Sequence, residues 1–449
     1  MGTVRLSNGV ISGGTLSGTS YVVEAGTISA VLAGSGITLT KNTVGSVLLS
    51  AANTYTGTTT VGAGTLSLGV DNALALGTSV VVSGGELALG TTTQSVAALT
   101  LNGGLLSGGT LTGTSYAVNA GTISAVLAGG SIVLTKNEGG TVLLTGANTY
   151  GGGTVVNAGT LFLGGDERLL ASGALTQNGG VFNLGGFTQT LGAVALTAGT
   201  ITSGTLSGAS YSVLSGDISA NLAGSGALTK TSTGLVTLTG ANSYSGGTSV
   251  NAGTLALGVN NTLLSSGAVT VNGGELALGI TSQTVGALSL TGGVISGGTL
   301  SGTSYTVVNG TISSILTGAG IVLTKNDSGT VLLSGVNTYG GGTVVNAGTL
   351  LLGGNERLLS AGSVELNGGV FNLGGNVQTT ATVTLNGGAI TNGTLSGGSY
   401  AVRLGDISAK LIGSGALTKT SPGLVTLSGL NSYSGGTTVT AGTLALGVD

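Results

Sequence analysis

Apolar side chains alternate with Thr, Ser and Asn for four or five positions along most of the chain, and each run stops at Gly-Gly, Asn-Gly or Ser-Gly. Alternation with a period of two, bounded by glycine-containing turn signals, predicts short β-strands, and helical spacing is absent. One stretch shows the phrases clearly: Thr160-Leu161-Phe162-Leu163-Gly164, Val181-Phe182-Asn183-Leu184-Gly185, Ile201-Thr202-Ser203-Gly204, Ile218-Ser219-Ala220-Asn221-Leu222 and Leu235-Val236-Thr237-Leu238-Thr239. Leu161, Val181, Ile201, Ile218, Val236 and Leu255 are taken as equivalent inward points, and the steps of 20, 20, 17, 18 and 19 residues between them set the length of one rung at about 19.

A longer beat overlies the rungs. Ala-Gly-Thr recurs at Ala63, Ala158, Ala252, Ala347 and Ala441, in steps of 95, 94, 95 and 94 residues. Two tyrosine families keep the same spacing. Tyr55, Tyr150, Tyr244, Tyr339 and Tyr433 follow Asn-Thr or Asn-Ser, while Tyr21, Tyr116, Tyr211, Tyr305 and Tyr400 follow Ser, which accounts for all ten. Five rungs therefore make one unit: a partial unit at 1–62, units at 63–157, 158–251, 252–346 and 347–440, and a partial unit at 441–449. A 189-residue period also exists, because Gly165-Asp166-Glu167-Arg168 returns as Gly354-Asn355-Glu356-Arg357 and Gly216-Asp217-Ile218 as Gly405-Asp406-Ile407. The chain begins and ends within repeated phrases and reads as a segment of something longer.

A 19-residue cycle cannot enclose a core alone, so its copies must stack, and the stacked form of strand-and-turn cycles this short is the parallel β-helix. The expected fold is all-β, a single continuous β-solenoid over 1–449 with 23 or 24 rungs, roughly 110 Å long at the parallel-strand spacing. In such a ladder equivalent residues lie roughly 4.8 Å apart, so like charges in register repel. Lys41, Lys136, Lys230, Lys325 and Lys419 share one Leu-Thr-Lys site but lie five rungs apart. They are expected on a solvated face, where Lys230→Ala would matter little. The tyrosines are spaced too widely for a continuous stack, and each ring is expected to cover the adjacent rung.

Composition narrows the chemistry. The 449 residues include 92 Gly, 1 Pro and no His, Cys or Trp, with 40% hydrophobic residues and a formal net charge of −3. One Pro excludes collagen, and the hydrophobic content argues against disorder. Without His and Cys there is no Ser-His-Asp or Cys-His nucleophile, no c-type haem, no iron–sulfur cluster and no zinc site of the usual ligands. The 10 Lys and Arg are scattered singly, so nucleic-acid binding has no electrostatic basis. No apolar run approaches the length of a membrane span. Neither a cofactor nor a metal is expected.

The acidic candidates read as structural. Asp166 and Glu167 are adjacent, but neighbours on a strand face opposite ways, the second copy has Asn355, and Arg357 can pair with Glu356. Asp217 and Asp406 replace a Thr found in other units and suit a turn or cap. Asn53, Asn148, Asn242, Asn337 and Asn431, ahead of the tyrosines, suit corner backbone groups better than a sugar. Thr-x-Thr pairs such as Thr38 and Thr40 skip rungs too irregularly for an ice-binding array. No catalytic, cofactor or metal residue is assigned; the repeated Asn and Tyr positions are assigned as structural.

The phrase Leu228-Thr229-Lys230-Thr231-Ser232-Thr233-Gly234-Leu235-Val236-Thr237-Leu238-Thr239-Gly240-Ala241-Asn242-Ser243-Tyr244-Ser245-Gly246-Gly247-Thr248-Ser249-Val250-Asn251-Ala252-Gly253-Thr254-Leu255 closely resembles the passenger-associated transport repeat of Gram-negative autotransporters, also called the autotransporter-associated β-strand repeat. Copies around Lys41, Lys136, Lys325 and Lys419 extend the likeness over about a third of the chain. The resemblance implies a right-handed parallel β-helix passenger, exported to the outer cell surface as part of a longer protein, with folding during exit assisting transport. Zero Cys suits an unfolded chain threading a narrow pore. The expected function is a rod or stalk segment of a cell-surface adhesin or filament. The alternatives are a self-assembling extracellular fibre, by end-to-end or lateral association, and a carbohydrate-binding or carbohydrate-cleaving β-helix, which should carry a non-repeated insertion.

Overall fold

The computed structural model describes residues 2–447; Met1 and the last two residues of the partial unit 441–449 lie outside the described residues. The chain divides into two compact units, Met1–Gly226 and Ala227–Asp449, and the division falls inside the 158–251 repeat. No helix occurs among the described residues. Strands are short, commonly three or four residues, and pair in parallel with the strand one rung away.

In the first unit one column of inward residues runs Val4, Tyr21, Leu39, Thr59, Val80, Leu99, Tyr116, Leu134, Thr154, Leu175, Val194, Tyr211, each paired with the next across twelve rungs. From Tyr21 the rungs lengthen as far as the one between Thr59 and Val80 and then shorten again to Tyr116, where the same order of lengths starts over. The second unit repeats the arrangement over twelve rungs, from Leu228 through Thr248, Val269, Leu288, Tyr305, Leu323, Thr343, Val364, Val383, Tyr400 and Leu417 to Thr437. Each unit is thus a parallel β-solenoid, about 53 Å along its ladder at the parallel spacing.

A rung bends between two or three strands. Tyr116–Val118, Gly121–Ile123 and Val126–Ala128 form one turn of the coil before Leu134–Lys136 begins the next. At the bends glycine is often obligatory. Gly121 has φ 115°, and a Cβ there would sit 2.6 Å from the carbonyl oxygen of Gly104 in the rung below. No side chain fits, because stacked corners bring backbone against backbone.

The uneven rungs have a residue-level cause, and they correct one reading. Leu161 pairs with Phe182 and Phe182 with Ile201, so Phe182, not Val181, continues the core column; Val181 pairs with Thr160 and Thr200. Asp166 and Glu167 do not lie on a strand. They form a turn in which Glu167 has φ 51°. The expected Glu356–Arg357 pair is not formed: Glu356 accepts from Gln378 and Thr379, and the ion pair among the described residues is Arg5–Glu24. Asp217 and Asp406 are not turn residues either. They occupy the exposed middle of Gly216–Ile218 and Gly405–Ile407.

The largest correction concerns the lysines. Lys41, Lys136, Lys230, Lys325 and Lys419 are all buried, not solvated. In Leu134–Lys136 the period of two turns Leu134 inward, Thr135 outward and Lys136 inward again, and the alternation overrides the preference of the charge for water.

Ile201→Asp places an unpaired carboxylate between Phe182 and Ile218 and should cost several kcal/mol. Thr202→Asp, one residue along and half-buried on the outer side, should change the melting temperature little. Equal losses in thermal melts of the two variants would contradict the inward and outward assignment.

Candidate functional site

The repeated polar residues converge on one construction, present in every unit. Lys136 lies in a column between Val118 below and Val156 above, so its stem is packed on aliphatic carbon. Its ammonium donates to the Glu138 carbonyl in its own rung and, at 3.1 Å, to the Ala158 carbonyl one rung up. Lys325 does the same with Asn326 at 2.8 Å, Asp327 at 2.7 Å and Ala347 at 3.1 Å. Lys41 reaches Thr43 and Ala63, Lys230 reaches Ser232 and Ala252, and Lys419 reaches Ser421 and Ala441. Each acceptor Ala is the first residue of an Ala-Gly-Thr phrase, 22 residues beyond the lysine. The glycine of that phrase is required. Gly159 has φ 66°, and a Cβ on it would stand 2.6 Å from Lys136 Nζ.

Burying an ammonium is costly unless its donors are used. Here charge-assisted bonds to two or three carbonyls meet that demand. Burial still pushes the Lys136 amine below its ordinary value, with Glu138 drawing it partly back; Lys41 and Lys325 behave alike against Glu24 and Asp327, and burial alone lowers Lys230.

The two tyrosine families meet in pairs beside four of the clasps. Tyr21 lies edge-on to Tyr55 at 5.8 Å, Tyr116 to Tyr150 at 6.0 Å and Tyr305 to Tyr339 at 5.9 Å; Tyr400 and Tyr433 are tilted at 5.8 Å. All of these rings but Tyr433 are buried, and each packs against a ring of the adjacent rung. Tyr116 Oη accepts from Gly113 N–H at 3.0 Å and lies 2.9 Å from the Leu111 carbonyl and 2.6 Å from that of Ala128. Tyr211, Tyr305 and Tyr400 hold equivalent bonds. In the other family the hydroxyl meets a buried threonine of the next rung: Tyr55 with Thr59, Tyr150 with Thr154, Tyr244 with Thr248 and Tyr339 with Thr343. Tyr433 makes the same bond to an exposed Thr437. Burial drives Tyr55, Tyr150 and Tyr339 well above the ordinary phenol value, against the threonine bond.

The asparagines tie corners across three rungs. Asn148 Oδ1 accepts from Leu127 N–H below at 2.9 Å, and Nδ2 donates to Gly146 and, at 2.9 Å, to Arg168 above. Asn53, Asn337 and Asn431 accept likewise from Leu32, Leu316 and Leu411, and Asn242 donates to Gly240 and Thr262. In a later rung glutamines take over this corner. Gln94, Gln189, Gln283 and Gln378 are buried and accept from Leu74, Leu169, Thr262 and Leu358. Sequence reading missed them, although they recur on the same beat as the Ala-Gly-Thr phrase, which was the signal.

The acidic turn serves the same end. Asp166 accepts from Thr188 N–H at 2.7 Å, and Glu167 from the N–H and hydroxyl of Thr190, so both carboxylates brace the next rung. Among the described residues no group of three or more His, Cys, Asp or Glu is placed to hold a metal ion.

The passenger-associated-transport-repeat family matches residues 39–68, 134–161, 228–257, 323–352 and 417–446. Each match contains one lysine clasp, and the first, third, fourth and fifth run to the end of the strand that contains the threonine of the Ala-Gly-Thr phrase. Over 99% of its length the chain is 32% identical to the adhesin BmaC autotransporter of Brucella suis biovar 1 (strain 1330). It spans 14% of that relative. No solved structure matches the chain.

Lys136→Ala removes the cation, empties its space and strands two carbonyls, and should cost about 2–5 kcal/mol. Lys136→Met keeps the packed stem and should lose less. Equal melting temperatures for Lys136→Ala and the parent would show the lysine to be solvated. Alkali gives a second check. An unfolded tyrosine ionises near pH 10, whereas folded Tyr55, Tyr150 and Tyr339 stay neutral, so the unfolded state releases protons first and stability falls as pH rises. The lysines act oppositely below about pH 10.5, where the folded state gives up protons that the unfolded chain keeps, and then no longer differ. Denaturant midpoints should therefore drop steeply above about pH 10.5, each tyrosine contributing about 1.4 kcal/mol per pH unit.

Proposed function

We propose that this chain, which carries five passenger-associated transport repeats and is similar to an adhesin autotransporter, is a stretch of the rigid stalk of an exported Gram-negative surface adhesin. Its work is to hold other parts of a longer protein at a distance from the outer membrane. One observation carries this reading: the polar residues that recur in every unit, Lys, Tyr, Asn and the Ala-Gly-Thr phrase, are used in holding one rung to the next. Such a chain supplies length and stiffness. The similarity to an adhesin autotransporter supports export and a place on the cell surface. On this reading the segment is non-enzymatic.

Removing residues 158–346 joins Asn157 to Ala347, replacing Ala158 by its equivalent and keeping the spacing of the Lys136 clasp. In the full-length parent, this deletion should shorten the surface projection by ten rungs, about 48 Å, while the remaining protein is displayed and adheres as before. Adhesion lost with display intact would assign the binding site to this segment. Electron microscopy of the isolated chain at rising concentration gives the complementary result: single rods support the stalk, whereas growing fibres favour self-assembly.

A further inference from the structure

The side-chain ties between rungs are unevenly placed. Starting from Leu111, Tyr116 Oη joins that rung to its own, and its ring meets Tyr150 one rung higher. Tyr150, Lys136 and Asn148 then bind upward to Thr154, Ala158 and Arg168. Gln189 in the rung after that reaches back to Leu169. Four consecutive joints are thus crossed by buried aromatic, cationic or amide groups. The fifth is different. Between the rung of Leu175–Gln177 and the rung of Val194–Leu196, the inward pairs are Leu175 with Val194 and Gln177 with Leu196. The corresponding pairs in the other units are Val82 with Leu101, Val271 with Leu290 and Leu366 with Leu385. Side-chain bonds that do cross this joint, such as Ser107 to Glu86 and Asn386 to Asn367, lie half-buried or exposed at the surface.

Gln177 sharpens the contrast. Its side chain is buried where three other units carry Val82, Val271 and Leu366, and its Oε1 finds no hydrogen-bond partner. A buried acceptor without a donor in an otherwise aliphatic joint weakens that joint relative to its copies.

We propose that the solenoid opens at a recurring seam, the Val82–Leu101, Gln177–Leu196, Val271–Leu290 and Leu366–Leu385 joints, so that the clasped rungs between seams open and close as blocks. The copy at Gln177 opens first. This divides a chain that looks uniform in sequence into five-rung segments, each holding one lysine clasp. Local opening of this kind is the expected behaviour of a stacked repeat with unequal interfaces.

Hydrogen exchange followed by mass spectrometry on the full chain, in denaturant below the global midpoint, tests the device. Peptides covering Leu175–Gln177 and Val194–Leu196 should exchange at least tenfold faster than those covering Leu134–Lys136 and Thr154–Val156, with the other seams intermediate. Gln177→Leu should slow exchange at its own seam to the level of the other three and leave the clasped rungs unchanged. Lys136→Met should speed exchange on both sides of its clasp without altering the seams around Leu101 and Leu290. Uniform exchange along the chain, faster exchange at the clasps than at the seams, or a Gln177→Leu effect spread evenly over all rungs would each overturn the proposal.

Discussion

In-register parallel stacking is the constraint from which the rest follows. A residue on one rung lies about 4.8 Å from its counterpart on the next, so anything that enters the interior is walled by the same column above and below. Water cannot reach it. An inward lysine must therefore find acceptors within its own rung or an adjacent one, which is why Lys136 turns to the carbonyls of Glu138 and Ala158 and why glycine must follow Ala158. The same constraint explains the nearly uncharged sequence, since an outward charge repeated on every rung would face its own copy.

Rung lengths follow from what each rung carries. The long rung from Leu134 to Thr154 contains the Asn148–Tyr150 corner, and the longest, from Thr154 to Leu175, contains the Asp166–Glu167 turn. That turn sets a non-glycine residue in the left-handed region at Asn72, Glu167, Asn261 and Glu356, four equivalent positions. Such a backbone is unfavourable for most side chains. Glu167 and Glu356 are held in it by bonds to Thr190 and Thr379 in the rung above. Stacking thus stabilises conformations that one rung alone would not keep, and each rung depends on its neighbours for shape as well as burial.

Much of this was legible in the sequence. The long repeat unit, the five rungs within it and the inward placement of Ile218 and Val236 all follow from spacing and alternation. What escaped did so for definable reasons. In strands this short, a register error of a single position exchanges inside for outside, which is how Val181 stood in for Phe182. The lysines were placed outside because charge was weighed above alternation, although Leu-Thr-Lys carries the inward-outward-inward pattern on its face. The tyrosine pairs and the glutamine corners are long-range in sequence. Tyr116 and Tyr150 belong to different rungs and different repeated phrases, a separation that becomes contact only when the rung lengths are known.

The central claim is that five cations sit inside the coil and fasten it. Brief labelling of the folded chain with an amine-reactive reagent, read by mass spectrometry, tests this directly. Lys410, exposed on its strand, should label at once, while Lys41, Lys136, Lys230, Lys325 and Lys419 should stay unlabelled until their rungs open. Labelling of those five at the rate of Lys410, with the chain still folded, would contradict the account.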